Sequence, residues 1–152
     1  MAFKLRSPAF GPGGEIPLKY TAAGADGSPP LRWTNPPEGT KSFALTMDDH
    51  EDRIWVHWVL YGIAATVREL PEGVPRQDAV PGVGSQGLND FGEVGYSGPC
   101  PPPGPAHLYF FRLYALDIAL ALPPRRRKAD LLKAVAGHIL VRVDLIARYQ
   151  RT

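Results

Sequence analysis

The sequence predicts a mainly β domain with one convincing helix near its C-terminus, and three observations carry that reading. Seventeen prolines and sixteen glycines punctuate the 152 residues, a density that ends strands and breaks helices. Several apolar runs alternate with period two, the repeat of a strand. Only the stretch after Pro123–Pro124 carries an apolar stripe at helical spacing. With hydrophobic residues at 44%, the chain is globular rather than disordered. Its length suits a single domain over residues 1–152 with a core of its own.

Residues 1–40 hold GPGG (11–14), Pro17, SPP (28–30) and NPP (35–37). Between them, Ile16–Tyr20 and Leu31–Trp33 fit short strands and turns. Ser42–Met47 reads as a strand with Phe43, Leu45 and Met47 on one face. Ile54–Ile63 follows. Strict alternation puts Trp55, His57, Val59 and Tyr61 on one side, and Val56, Trp58 and Leu60 on the other. Both sides are largely apolar, so a central strand covered on both faces is expected.

Residues 66–106 contain PEGVP, PGVGSQG and SGPCPPPGP and show weak periodicity. A structureless stretch of that length is uncommon and usually functional. A loop system draped across the domain is expected, with Asn89–Tyr96 locally ordered. His107–Leu116 returns to strand character, with His107, Tyr109 and Phe111 on one face and Leu108, Phe110 and Arg112 on the other. The helix then places Leu131, Leu132 and Val135 on one stripe and ends at Gly137. Ile139, Val141, Val143 and Leu145 alternate after it as a final strand.

A net charge of +2 is too mild for nucleic-acid binding without a clustered patch. The single cysteine, Cys100, rules out an intrachain disulfide and gives no sign of an oxidising compartment. No apolar run of signal-peptide length precedes Pro8. The most apolar run, Ile54–Ala65, is interrupted by His57 and is shorter than the ~20 residues of a membrane helix. A soluble cytoplasmic protein without integral membrane association is expected. The glycines at 82, 84 and 87 form no phosphate-loop motif, and no cofactor is implied.

The chemistry concentrates in TMDDHEDRIWVHWVLY (46–61). Asp48, Asp49, Glu51 and Asp52 precede an apolar strand carrying His57, and His107 opens a second strand after a Gly/Pro-rich loop. Tyr109 shares the His107 face and adds a phenolic donor or a core aromatic. Asp49 and Glu51 alternate, so they point the same way in extended backbone. Two carboxylates and two histidines can ligate a metal, act as general acid and base, or orient imidazoles that grip an anion. As plain structure, the acidic run is solvated surface and His57 a packed ring. Cys100 has no CxxC or basic neighbour, Arg125–Lys128 reads as a solvated run, and His138 as structural.

In order and spacing, SPAF (7–10), IPLKYT (16–21), SPPLRW (28–33), GTKSFALTMDD (39–49), HWVLY (57–61), GLNDFGEVGYSGPCPP (87–102), HLYFF (107–111), YALD (114–117) and GHIL (137–140) resemble the phosphatidylethanolamine-binding protein family, especially its short bacterial branch of Raf kinase inhibitor-like proteins. The resemblance runs nearly end to end. It implies an antiparallel Greek-key β-sandwich with a small number of flanking helices, and a small anion pocket at one end. The family's D-P-D-A-P loop falls on Asp49-His50-Glu51-Asp52-Arg53, its pocket histidine on His57, its G-P-P glycine on Gly98 and its H-R-Y on His107-Leu108-Tyr109. His50 and Arg53 replace both prolines, Glu51 replaces the second aspartate, and Leu108 replaces the arginine.

The resemblance implies a non-catalytic module binding phosphate or a phosphoryl head group through Asp49, Glu51, His57, Gly98, His107 and Tyr109, with no resident metal. A protease or kinase partner and a homodimer are further expectations. An enzyme using the same pocket ranks last, since the sequence shows no evident nucleophile beside either histidine.

Overall fold

In the computed structural model, residues 2–51 and 53–151 are described; Asp52 of the acidic run lies outside them. The period-two runs form β3 (Ser42–His50), β4 (Ile54–Ala64), β8 (His107–Leu116) and β9 (Ile139–Tyr149). Shorter strands are β1 (Lys4–Arg6), β2 (Leu31–Thr34), β5 (Glu69–Leu70), β6 (Ala79–Val80) and β7 (Gly84–Gln86). Ile16–Tyr20 contributes a 3-10 turn at Leu18–Tyr20, and the helix is α1 (Lys128–Val135).

Two antiparallel sheets stack face to face, one ordered β1-β2-β5 and the other β6-β7-β4-β3-β8-β9. The core between them joins Leu5, Leu31 and Trp33 of the small sheet to Phe43, Leu45, Met47, Trp58, Phe111 and Leu113 of the large one. On the far face of the large sheet, Ala44, Val56, Val59, Tyr61, Tyr114 and Leu116 pack on Leu131 and Val135 of α1. Of the expected helical stripe, Leu132 is 37% exposed instead. The large sheet is therefore covered on both faces where β4 crosses it, as its doubly apolar sequence predicts. Among the described residues, no helix is long and apolar enough to cross a membrane.

Strict alternation fails on β4, and the failure matters for the site. Met47 pairs with Trp58 while Asp48 pairs with Val56, so His57 is an extra residue in a β-bulge. The bulge turns His57 and Trp58 to the same side of the sheet. Val59 and Tyr61 consequently join Val56 under the helix, not the His57 face. A second register step lies between Phe43 and Leu45. There Gly62 adopts φ +67, a conformation glycine takes without a Cβ clash, and Ile63 returns to the inter-sheet core.

The long 66–106 stretch carries β5, β6 and β7 and an isolated bridge between Leu88 and Val94. Asn89 holds that locally ordered part: its side-chain amide donates to Gly95 O and Ser97 Oγ, and its Oδ1 accepts the N–H groups of Phe91 and Glu93. The basic run before α1 is not simply solvated. Arg125 pairs with Asp78 at 2.9 Å, Arg127 lies 3.7 Å from Asp90, and the Lys128 ammonium meets the fully buried Asp48 carboxylate. The helix dipole disfavours a cation at this end; the buried carboxylate beneath it supplies the opposing attraction.

Candidate ligand-binding site

The ends of β3, β4 and β8 meet at one end of the sandwich. In register, Asp49 lies beside Trp55 of β4 and Tyr109 of β8. The His107 Nδ1–H donates to Asp49 Oδ2 at 2.6 Å, and the Glu51 backbone N–H donates to Asp49 Oδ1 at 3.2 Å. Both oxygens of this nearly buried carboxylate are thus engaged. A cavity of ≈ 270 Å³ opens there, lined by Asp49, Trp55, His57, Phe91, Cys100, Pro101, Pro102 and His107.

Ser97 clamps His57 twice. The Ser97 N–H donates to the His57 carbonyl at 3.1 Å, and the His57 Nδ1–H donates to the Ser97 carbonyl at 2.6 Å. Phe91 and Tyr109 pack edge-on against the ring with centroids 5.3 and 5.4 Å away. Burial holds the His57 pKa below the usual imidazole value, partly offset by the Ser97 carbonyl and the negative charges of Asp49 and Asp48. With Nδ1 committed, Nε2 is the nitrogen left for a ligand.

This shift makes fold stability depend on pH. The unfolded chain takes up a proton at His57 near the ordinary value of about 6.5, where the folded chain does not. Stability contributed by neutral His57 is therefore present above that value and is lost as pH falls from it toward the depressed folded pKa. Urea unfolding across this range is expected to show a slope that His57→Gln flattens; identical slopes in both proteins would contradict the assignment.

Tyr109 is fully buried, and its hydroxyl has no hydrogen-bond partner among the described residues. Burial, reinforced by the Asp49 charge, pushes its pKa up, so the group is a phenolic donor throughout the physiological range. Glu51 is exposed next to Asp49. Asp49, Glu51 and His107 each present a ligand atom, all within 4.8 Å of one another; the alternation of Asp49 and Glu51 predicts that those two point the same way. Such a set could hold a divalent cation in place of the His107–Asp49 hydrogen bond.

Of the residues the sequence singles out, Asp49, His57 and His107 line the cavity directly. Tyr109 packs edge-on against His57, and Glu51 stands beside Asp49. Gly98 is buried behind the wall, its N–H donated to Asp26 Oδ1 at 2.7 Å. His50 faces the opposite side of the sheet, 3.3 Å from Asp48 and against the Phe110 ring. Arg53 lies over the Trp55 ring at 5.5 Å. Sequence reasoning missed Trp55, Phe91, Cys100, Pro101 and Pro102 as lining and Ser97 as the anchor of His57. Trp55 was detectable, since it alternates with His57 on one face. The loop residues carried no periodic signal.

The profile of the family described as "Phosphatidylethanolamine-binding protein" matches residues 6–150. A UPF0098 protein of Methanothermobacter thermautotrophicus is 46% identical over 149 residues, covering 97% of this chain and 98% of that protein. A UPF0098 protein of Aquifex aeolicus is likewise 46% identical, covering 95% of this chain and 86% of its own. The crystal structure of a phosphatidylethanolamine-binding protein homolog from Chlamydia trachomatis superposes with TM-score 0.88 at 37% identity, covering 99% of both chains. Escherichia coli YbcL, described as a member of the mammalian PEBP family, superposes with TM-score 0.91 at 30% identity over 100% of both chains. The matched span, the identity to these relatives and the two-sheet sandwich with its C-terminal helix together show that this chain belongs to the phosphatidylethanolamine-binding protein family.

Proposed function

We propose that the cavity is a non-catalytic receptor for a small oxyanion, phosphate or a phosphoryl head group. The observation that carries this reading is the Tyr109 hydroxyl, a buried donor without a partner among the described residues, beside two imidazoles each anchored through Nδ1. A buried donor left unpaired costs about 1–3 kcal/mol, and an anion oxygen would relieve that cost. Nε2 of His57 and of His107 would donate to the same anion once protonated, with Asp49 neutralising the charge gained by His107. Asp49 and Glu51 oppose an anion that arrives without a proton. Binding is therefore coupled to proton uptake.

Sulfate keeps its charge where phosphate itself titrates, so it is the probe for the pH series. Calorimetric titration of chelator-washed protein is expected to show sulfate affinity rising as pH falls through the range where His57 takes up its proton. Inorganic phosphate at fixed pH is expected to bind the Tyr109→Phe variant about tenfold more weakly, the equivalent of ~1.4 kcal/mol. The His57→Ala/His107→Ala variant should not bind it measurably. Equal affinity in the wild type and that double variant would overturn the reading. Turnover of phosphoesters by metal-loaded protein would replace it with catalysis built on Asp49, Glu51 and His107. A kinase or protease partner would meet the exposed aromatic rim of Phe91 and Trp55 under Arg53, and Phe91→Ala is the control for its capture.

A further inference from the structure

Asp49 on β3 and His107 on the neighbouring β8 share a hydrogen bond of 2.6 Å between Oδ2 and Nδ1. The exposed Glu51 carboxylate, just beyond the end of β3, has an oxygen within 4.8 Å of a donor atom of each. Donors around a first-row divalent cation lie about 3 Å apart, at metal–ligand bonds of about 2.0–2.2 Å. Asp49 and His107 therefore need to open only slightly, and rotation of the exposed Glu51 side chain closes the remaining gap. Two carboxylates and one imidazole leave further coordination positions open to an incoming ligand. Tyr109 points to a ligand at the same place. In register it lies directly across from Asp49, so the two side chains leave the same face of the sheet. Its hydroxyl is buried and has no partner among the described residues. A buried donor of that kind calls for an oxygen that the protein itself does not supply.

Charge decides what completes the set. An oxyanion that enters the cavity alone meets the negative charges of Asp49 and Glu51 at close range. A divalent cation between these carboxylates cancels both charges. Its open positions then accept the anion's oxygens directly. The cation also takes the place of the proton between Asp49 and His107. With Nδ1 as a metal ligand, the His107 ring proton moves to Nε2, where a neutral imidazole donates to the anion.

We infer that Asp49, Glu51 and His107 form a divalent-cation site, and that the bound cation is the seat of the oxyanion. The seat rests on the anion-receptor reading of the cavity; the cation site does not. Mn²⁺ alone is titrated into the chelator-washed full chain in chloride buffer, and the paramagnetic resonance of the free ion is followed. One site per chain is expected to fill. Glu51→Gln should weaken it at least about tenfold, the least that loss of even an outer-shell partner costs a metal site. Glu51 is exposed, so the substitution leaves the fold intact. Asp117→Asn breaks a second, more exposed carboxylate–imidazole pair, Asp117 with His138 Nδ1 at 2.9 Å, and should bind Mn²⁺ as the wild type does. Sulfate affinity of the wild type is expected to rise at least about tenfold on Mn²⁺ loading, and Glu51→Gln should abolish that gain. No Mn²⁺ binding up to millimolar concentration overturns the cation site, as does binding that Glu51→Gln leaves unchanged. A sulfate affinity that Mn²⁺ leaves unchanged or lowers overturns the seat. Sulfate that binds neither the metal-free nor the loaded protein overturns the anion receptor, while the Mn²⁺ titration, free of oxyanions, decides the cation site by itself.

Discussion

Replacing Lys128 by methionine is expected to lower the unfolding free energy by about 3–5 kcal/mol, the usual cost of breaking a buried ion pair from one side. Asp48 is fully buried and Lys128 nearly so: the two side chains are 0% and 12% exposed. Among the described residues, Asp48 Oδ1 has no hydrogen-bond partner, and the other oxygen has only Lys128 and His50. Removing the ammonium leaves a buried carboxylate with one histidine to compensate it. Removing both charges in Asp48→Leu/Lys128→Met should return stability to within about 1 kcal/mol of the wild type, since an apolar pair of similar volume replaces such bridges at little cost. Urea unfolding of the two single variants and the double variant gives the coupling energy directly. A Lys128→Met loss below about 1 kcal/mol would show that the pair behaves as a solvated surface bridge. Phosphate affinity supplies a separate readout. Asp48 and Asp49 are neighbours on β3 but face opposite sides of the sheet, so the double variant should keep the cavity and lose only the small share of affinity that the Asp48 charge lends to protonated His57.

That pairing also marks where sequence reasoning stopped. The faces of β3 and β8 were legible because their apolar residues alternate without interruption, which placed Asp49, His107 and Tyr109 together. The sequence of β4 alternates just as cleanly, yet the bulge at His57 shifts Trp58 to Tyr61 by one face, until the second step at Gly62 restores it. A bulge is a property of two paired strands, and one strand's periodicity does not contain it. Lys128 meets Asp48 across 80 positions of chain, a contact that local charge patterning at a helix start does not reveal. The same holds for the cavity wall. Phe91, Cys100 and Pro101 arrive on a loop whose course is set by Asn89, and Asn89 acts through its backbone partners rather than through any repeat.

Gly98→Ala is expected to cost about 3 kcal/mol, at the upper end of overpacking a tight site, and to weaken phosphate binding without touching the cavity. Family resemblance selects this glycine, but the structure gives it a steric reason. A Cβ at 98 would lie 2.2 Å from the Tyr20 carbonyl oxygen, 2.7 Å from Asp26 Oδ1 and 3.1 Å from Thr21 Cα. Backbone supplies two of those contacts, so no flexible side chain can simply swing away. The Tyr20 carbonyl also accepts the Tyr96 hydroxyl at 2.6 Å, and Pro99 O accepts the Ala22 N–H at 3.0 Å. The 97–99 segment is therefore pinned on both sides of the glycine, and strain from the methyl group must move Ser97. Ser97 O fixes which nitrogen of His57 carries the proton and which faces a ligand. Loss of such an orienting partner typically lowers affinity or activity 10- to 100-fold in metal sites, and about tenfold is expected here for phosphate. Gly11→Ala is the control, since a Cβ at 11 meets nothing within 4 Å and should stay within about 0.5 kcal/mol of the wild type. A Gly98→Ala protein that loses stability but keeps full affinity would separate the two roles, leaving the glycine as packing and the orientation of His57 to its aromatic neighbours, Phe91 and Tyr109.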